Sequence, residues 1–459
     1  MDILDKLEQY CNSDYVPMHM PGGKRNPEYS STSILDITEI DGFDNMHNPE
    51  GIIKYSFERA ARLYGADETL FLVNGSTSGI LAAICGAVRK HDKVAVARNC
   101  HVSVYNALLI AELEPVYIVP DIDYKTGIYK GITYEDIKKC VQENSDIKAV
   151  IITSPTYEGI VSETRHIAEY LHSKGIILIV DEAHGAHFKF SIEFPESAVD
   201  AGADLVINSI HKTLPALTQT ALLHISRENV DVDRVKRYCN IYQTTSPSYI
   251  LMASIDRCIG IIEDNGKELF EKYICSLKLL RKKLGQLNNI SLLDSDDISK
   301  IILLCDNGKI LYDRLLNEFR IQAEMASFKY VICMTSVADK QDYYDRFLHA
   351  LEYIDSTWES HDVITLDKNI YINNAPDMRM TPSQAMEQMN DHGCDEIDVC
   401  DDSIYGRISA STVLIYPPGM PVINIGEAIT QKAAHTIRNA IRTGLEVPGL
   451  KEGRIQCLR

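Results

Sequence analysis

From Thr69 onward the chain alternates short apolar runs with amphipathic stretches. The runs are Thr69–Val73, Lys93–Ala97, Pro115–Val119, Lys148–Thr153, Gly175–Val180, Asp204–Asn208 and Thr220–Ile225. Most lack the strict polar alternation of a half-exposed strand, so they predict strands buried on both faces. Between them Ser78–Arg89, Ser103–Leu113, Tyr134–Val141 and Glu163–Ser173 repeat at helical spacing. This strand–helix rhythm predicts an α/β architecture, with a mostly parallel seven-stranded sheet and helices on both faces.

The rhythm has clear limits. Residues 1–55 stand outside it as an N-terminal arm, and Ser56–Tyr64 predicts a short helix closed by Gly65. After Pro247, Ser248–Leu284 reads as a linking helix. A smaller α+β unit follows, with strands at Lys300–Leu304 and Tyr330–Thr335 and helices at Ile310–Phe319 and Lys340–Ile354. Residues 358–403 are polar and broken, and read as an ordered connector. A last strand from Arg407 stops at the proline-rich turn Tyr416-Pro-Pro-Gly-Met-Pro421. The expected division is an arm at 1–55, a large domain at 56–285 and a C-terminal domain at 286–459.

Composition narrows the function classes. No apolar run approaches the ~20 residues that cross a bilayer, and the mixed start Met-Asp-Ile-Leu-Asp-Lys lacks a leader's apolar core. The twelve cysteines include no Cys-x-x-Cys pair, as expected of reduced thiols. Together these features predict a cytoplasmic protein. A net charge of −19 argues against nucleic acid and mildly favours a cationic small substrate.

Ligands of open α/β sheets bind beyond the carboxyl ends of the strands. Two of those ends carry Asp181 and, within Ser209-Ile-His-Lys212, a lysine. A carboxylate and an amine so placed are the pair that pyridoxal phosphate (PLP) requires, one against its pyridine nitrogen and one holding its aldehyde. Asn74-Gly-Ser76-Thr77-Ser-Gly79 opens the first long helix, where small hydroxyl residues either bind a phosphate or simply cap the helix. His101 ends the second strand and can stack on a flat ring or cap a helix. Thr153-Ser154-Pro155-Thr156 ends the fourth, where hydroxyls can reach a cofactor or cap the loop. Asp181, His184 and His187 also have a zinc-like spacing, but the histidines fall on a loop with no third strong ligand nearby, so no metal is expected.

Taken together, Gly75-Ser-Thr-Ser-Gly, Arg98-Asn-Cys-His, Thr153-Ser-Pro-Thr-Tyr, Asp181-Glu-Ala-His-Gly-Ala-His187, Ser209-Ile-His-Lys212 and Tyr416-Pro-Pro-Gly-Met-Pro421 resemble the ornithine/lysine/arginine decarboxylases of PLP fold type I. The likeness runs from about His19 to Glu427, in a short form without an N-terminal wing domain. The resemblance implies that Lys212 binds the PLP aldehyde and acts as a catalytic group. It implies that Asp181 pairs with the pyridine nitrogen, that His101 stacks on the ring and that His184 lines the pocket. Ser76, Thr77, Ser209 and His211 would hold the phosphate, with Ser154 also at the cofactor. It further implies a homodimer with shared active sites, open to higher assembly. Two departures bear on substrate choice. Gly23 stands where the family has histidine, and an extra residue before Gly406-Arg407 leaves Asp402 a provisional match for the carboxylate that meets the substrate's distal cation.

The expected reaction is decarboxylation of a basic amino acid, with arginine first, then lysine and ornithine. A second reading is an aminotransferase or other lyase of the same fold, for which Arg407 would clamp the α-carboxylate. A third is a non-catalytic relative with a regulatory role, suggested by Gly23 alone.

Overall fold

The computed structural model describes residues 2–359, 376–415, 420–442 and 444–459. Two compact units make up the chain, 1–87 with 177–274 and 336–338, and 88–176 with 275–335 and 339–459. The strands are β1 Glu68–Leu72, β2 Lys93–Ala97, β3 Glu114–Ile118, β4 Ile122–Asp123, β5 Ile128–Tyr129, β6 Ile147–Thr153, β7 Ile177–Asp181, β8 Leu205–Asn208 and β9 Ala221–Ile225. Seven form one sheet in the order β1-β9-β8-β7-β6-β2-β3. The β7–β8, β6–β2 and β2–β3 pairs are parallel, while β9 runs antiparallel to both β1 and β8. The expected α/β sheet is therefore present. All four residues of β8 and all five of β9 are buried, as doubly covered strands require.

The first unit begins with α1 Ile3–Cys11, whose Asp2 cap and Asp5 form a reciprocal capping box. Its Ile3 and Leu7, one turn apart, pack with Phe43, Ile53, Tyr249 and Met252. The N-terminal segment thus holds a core-packed helix that its short, mixed-charge sequence concealed. Next come α2 Ile52–Tyr64 and α3 Gly75–Ala87. The latter begins three residues earlier than the periodicity predicts, because its first turn is polar. Ser76 and Thr77 therefore lie inside that turn and are not the residues that cap it.

In the second unit α4 Val102–Ile110, α5 Tyr134–Glu143 and α6 Thr164–His172 accompany β2, β3 and β6. The first unit adds the single turn α7 Ile210–Thr213 and α8 Val232–Tyr242, and α9 Tyr249–Leu284 follows. Beyond it β10 Ser291–Leu292, β11 Lys300–Leu304, β12 Met325–Ala326 and β13 Tyr330–Met334 form an antiparallel sheet with α10 Gly308–Phe319 and α11 Gln341–Ser356.

The polar stretch expected as a connector is partly regular. Thr381 and Gln384 form a capping box for α12 Pro382–His392, and β14 Cys394–Asp398 pairs with β17 Arg454–Leu458. Within β14, Cys-Asp-Glu-Ile-Asp leaves alternate side chains exposed, which disguised it as loop. Residues 360–375 of the expected connector, and Tyr416 to Gly419 of the proline-rich turn, lie outside the described residues. The remaining pair is β15 Val413–Ile415 with β16 Met420–Ile423, and α13 Gln431–Arg442 packs beside it.

Candidate active site

Parallel strands β7 and β8 end side by side in the first unit, with Asp181 in register with Ile207. Asp181 is buried, and one carboxylate oxygen accepts from the Ala183 N–H at 3.1 Å. Beyond Asn208, Ser209 starts the single turn α7, which carries Lys212. Lys212 Nζ stands 3.0 Å from His184 Nε2, on the loop that follows Asp181. Ser209 Oγ lies 2.9 Å from Ser76 Oγ, in the first turn of α3. The structure therefore brings together Ser76, Ser209, Lys212 and His184, with Asp181 at the neighbouring strand end. Thr77 adjoins Ser76 in the same helical turn.

His211 lies within 2.7 Å of the Thr220 carbonyl through Nδ1. A carbonyl only accepts, so Nδ1 carries the proton and Nε2 of the neutral ring is an acceptor. Burial lowers the His211 pKa below the ordinary histidine value, opposed by the Thr220 contact and reinforced by the charge of Lys212. Donation to a phosphate from Nε2 therefore requires a ring that the phosphate itself charges.

His187, in contrast, is buried against the edges of Phe188 and Phe194, with centroids 4.9 and 4.5 Å away. That is a packing role. Among the described residues no group of three or more His, Cys, Asp or Glu side chains is placed to hold a metal.

The other expected residues belong to the second unit. His101 caps α4, accepting from the Ser103 N–H through Nδ1 at 3.2 Å, and its ring is exposed. Ser154 is buried, and its Oγ accepts from the Ser162 N–H at 3.0 Å. Asp402 is exposed and pairs with Arg438 at 3.1 Å. Hydrogen bonds from Tyr405 and Arg438 hold its carboxyl below the usual range. Arg407 pairs with Asp395 at 3.0 Å and donates to the Leu458 carbonyl at 2.8 Å. Each provisional substrate residue thus already has a charge partner.

Two buried polar groupings had escaped the sequence reading. In the first unit Glu182, Asn208, His224 and Thr69 form a hydrogen-bonded chain behind the Asp181–His184 loop. In the second, Arg98 makes a bidentate pair with Glu427 at 2.6 and 2.8 Å, with its guanidinium over the Tyr105 and Tyr117 rings. A signal existed for the first. Asn208, His224 and Thr69 are polar residues inside otherwise apolar strands, and such residues need buried partners.

The donor set fits PLP. A buried carboxylate at one strand end, an amine one turn beyond the next, and two hydroxyls at the start of a thirteen-residue helix would suit a ring nitrogen, an aldehyde and a phosphate in turn.

Comparison with known proteins bears on the family and the cofactor. The family model described as Orn/Lys/Arg decarboxylase, major domain, matches residues 16–304, and that of the C-terminal domain matches 365–454. An arginine decarboxylase of Bacillus subtilis (strain 168) is 31% identical, over 99% of this chain and 96% of its own length. Among solved structures, the lysine decarboxylase LdcF of Francisella novicida superposes with a TM-score of 0.87 at 18% identity, covering 100% of this chain and 81% of the other. A more distant likeness, with a TM-score of 0.56 at 13% identity over 69% of this chain and 81% of the other, is to SPT with PLP.

Proposed function

Because the chain belongs to the Orn/Lys/Arg decarboxylase family, and is therefore a PLP-dependent decarboxylase of a basic amino acid, we propose that its substrate is arginine and its product agmatine. The full-length similarity to an arginine decarboxylase favours arginine over lysine and ornithine. The single observation that carries the site assignment is the Lys212–His184 contact beside the strand end bearing buried Asp181.

When bound, PLP supplies an electrophilic aldehyde for the substrate amine and an electron sink for the pair left behind by departing carbon dioxide. The residues of this chain do the rest. Lys212 is the amine that anchors the aldehyde. Asp181, sheltered from water, holds a proton on the pyridine nitrogen, and a buried carboxylate does so more strongly than an exposed one. Ser76, Thr77 and Ser209 bind the phosphate at the amino end of α3, with His211 joining as a cation. His101 covers the ring, and Ser154 orients the loop beside it.

After carbon dioxide leaves, a proton must reach the substrate Cα. Lys212 is the group to deliver it, and His184, in hydrogen-bond reach of its amine, returns one to it. Asp402 is proposed to meet the distal guanidinium by exchanging Arg438 for substrate, with Arg407 in a supporting place. Residues 56–285 form the PLP-binding domain and 286–459 the C-terminal domain of a cytoplasmic homodimer with shared sites. No helix among the described residues is long and apolar enough to cross a membrane.

The test gives PLP-loaded protein arginine, lysine and ornithine, each labelled at the α-carboxyl. Labelled carbon dioxide with agmatine as the main amine is expected, and none from Lys212→Ala. Faster release from lysine or ornithine would overturn the substrate assignment. A keto acid without carbon dioxide would overturn decarboxylation.

A further inference from the structure

Asp181 and Lys212 serve one cofactor only if the two strand ends that carry them keep a fixed separation. Strand ends fray, and β7 and β8 both stop where the ligand would begin. Beyond the last registered pair, Asp181 with Ile207, the next two residues are Glu182 and Asn208. Asn208 Nδ2 donates to both the Glu182 carbonyl and its Oε2, each at 2.9 Å. The other carboxylate oxygen accepts from the Ala198 N–H at 2.6 Å. One side chain thus joins the loop after β7, the end of β8 and the segment at Ala198.

The chain continues inward with fixed directions. His224 Nε2 meets Asn208 Oδ1 at 3.0 Å, and Thr69 Oγ1 meets His224 Nδ1 at 2.8 Å. Because Asn208 presents its oxygen to the ring, Nε2–H must donate and Nδ1 must accept from Thr69. Burial keeps His224 neutral, with its pKa lowered to about 3. All four side chains are buried. Tyr64 lies over the His224 ring at 4.5 Å and donates to the Ala186 carbonyl at 2.9 Å, gripping the same loop again. A Cβ on Gly185 would fall 2.7 Å from Glu182 Cγ, so the loop closes directly on this side chain.

We propose that Glu182 is a positioning residue for the cofactor, locking the strand ends of Asp181 and Lys212 together through Asn208. The inference rests on the roles proposed above for those two residues. Glu182 itself touches neither cofactor nor substrate. Its effect is read through the PLP environment before any substrate is added.

The experiment uses the holoenzyme and two variants, Glu182→Ala and Glu182→Gln. It measures the PLP dissociation constant and the pH midpoint of the bound-PLP visible absorbance, without substrate. Glu182→Ala is expected to weaken PLP about tenfold, the scale on which supporting groups act, and to move the midpoint. Glu182→Gln keeps the shape and the Ala198 bond but sets an amide against the Asn208 amide. It should move the midpoint the same way by less, and it decides the matter if Glu182→Ala does not fold. Wild-type affinity and midpoint in the folded variants, whatever their melting temperatures, would overturn the inference. A wild-type protein that takes up no PLP would instead overturn the site assignment beneath it.

Discussion

At the scale of single residues, two hydrogen-bonded side chains invite direct tests. His184 Nε2 sits 3.0 Å from Lys212 Nζ, so in His184→Phe the lysine loses the group proposed to return its proton. Proton shuttles of this kind contribute about 100-fold or more. The expected outcome is a fall in kcat of that order, with PLP uptake retained, measured by carbon dioxide release under saturating arginine. An unchanged kcat would leave Lys212 to exchange its proton with water. Asp402 raises a different question, because its carboxylate is already paired with Arg438. If it exchanges that partner for substrate, Asp402→Asn raises KM for arginine about tenfold, equal to about 1.4 kcal/mol, at near-constant kcat. An unmoved KM would return Asp402 to a purely structural pair.

Glu182 adds a pH signature at the same scale. Burial lifts its pKa from 4.5 to about 8, against hydrogen bonds from Asn208 and Ala198. Below pH 4.5 the carboxyl is protonated folded or unfolded and carries no penalty. Between 4.5 and 8 the unfolded chain gives up its proton while the folded one keeps it, so stability drains away as pH rises. Glu182→Gln cannot titrate. The melting temperature of the wild type, relative to this variant, should therefore decline from pH 5 to pH 8. A constant difference across that range would mean the carboxyl is ionised throughout.

At the scale of elements, helix α3, whose amino end is proposed to bind the phosphate, shows how tightly its opposite end is packed. A Cβ on Gly86 would stand 2.7 Å from Val235 Cα, in α8. A backbone atom cannot swing aside, so Gly86→Ala forces the helices apart. Overpacking of this kind costs roughly 1–3 kcal/mol, and the expected result is a lower melting temperature. A neutral change would show that α8 slides freely. These same elements also mark what could be read from sequence. Strands buried on both faces, such as β2 and β11, stood out with their observed bounds because every residue was apolar or nearly so. Helices with polar first turns were read short at the start, as α3 was. The helices α1 and α12 and the half-exposed strand β14 escaped because each buries few or no apolar residues within a short, polar stretch. The candidate site was legible as chemistry, since Asp181 ends one recognisable strand and Lys212 follows closely on another. The Glu182 and Arg98 networks join residues far apart in sequence, and only the folded register brings them into contact.

At the scale of the whole molecule, a buried ion pair within the second unit joins the two segments that match the major and C-terminal domain models. Arg98 leaves the end of β2 and meets Glu427, 329 positions later, in both arms of its guanidinium. Glu427 Oε2 also accepts from the Asn424 N–H at 2.9 Å, and Asn424 Nδ2 lies 3.3 Å from the Tyr117 hydroxyl. Among the described residues Arg98 Nε has no hydrogen-bond partner, so the Glu427 carboxylate, the Val422 carbonyl at 3.4 Å and the Tyr105 and Tyr117 rings carry its charge. Breaking such a pair strands a buried cation and typically costs about 3–5 kcal/mol, whereas replacing both partners by apolar groups costs far less. Glu427→Leu should therefore lower the melting temperature sharply, and Arg98→Met combined with Glu427→Leu should recover much of that loss. Because Arg98 lies three residues before His101, which is proposed to cover the cofactor, the single variant should also weaken PLP, and the double variant should restore stability more fully than it restores the cofactor. Equal recovery of both would mean that the pair only fills space, and that the approach of the C-terminal segment to β2 is set by packing alone.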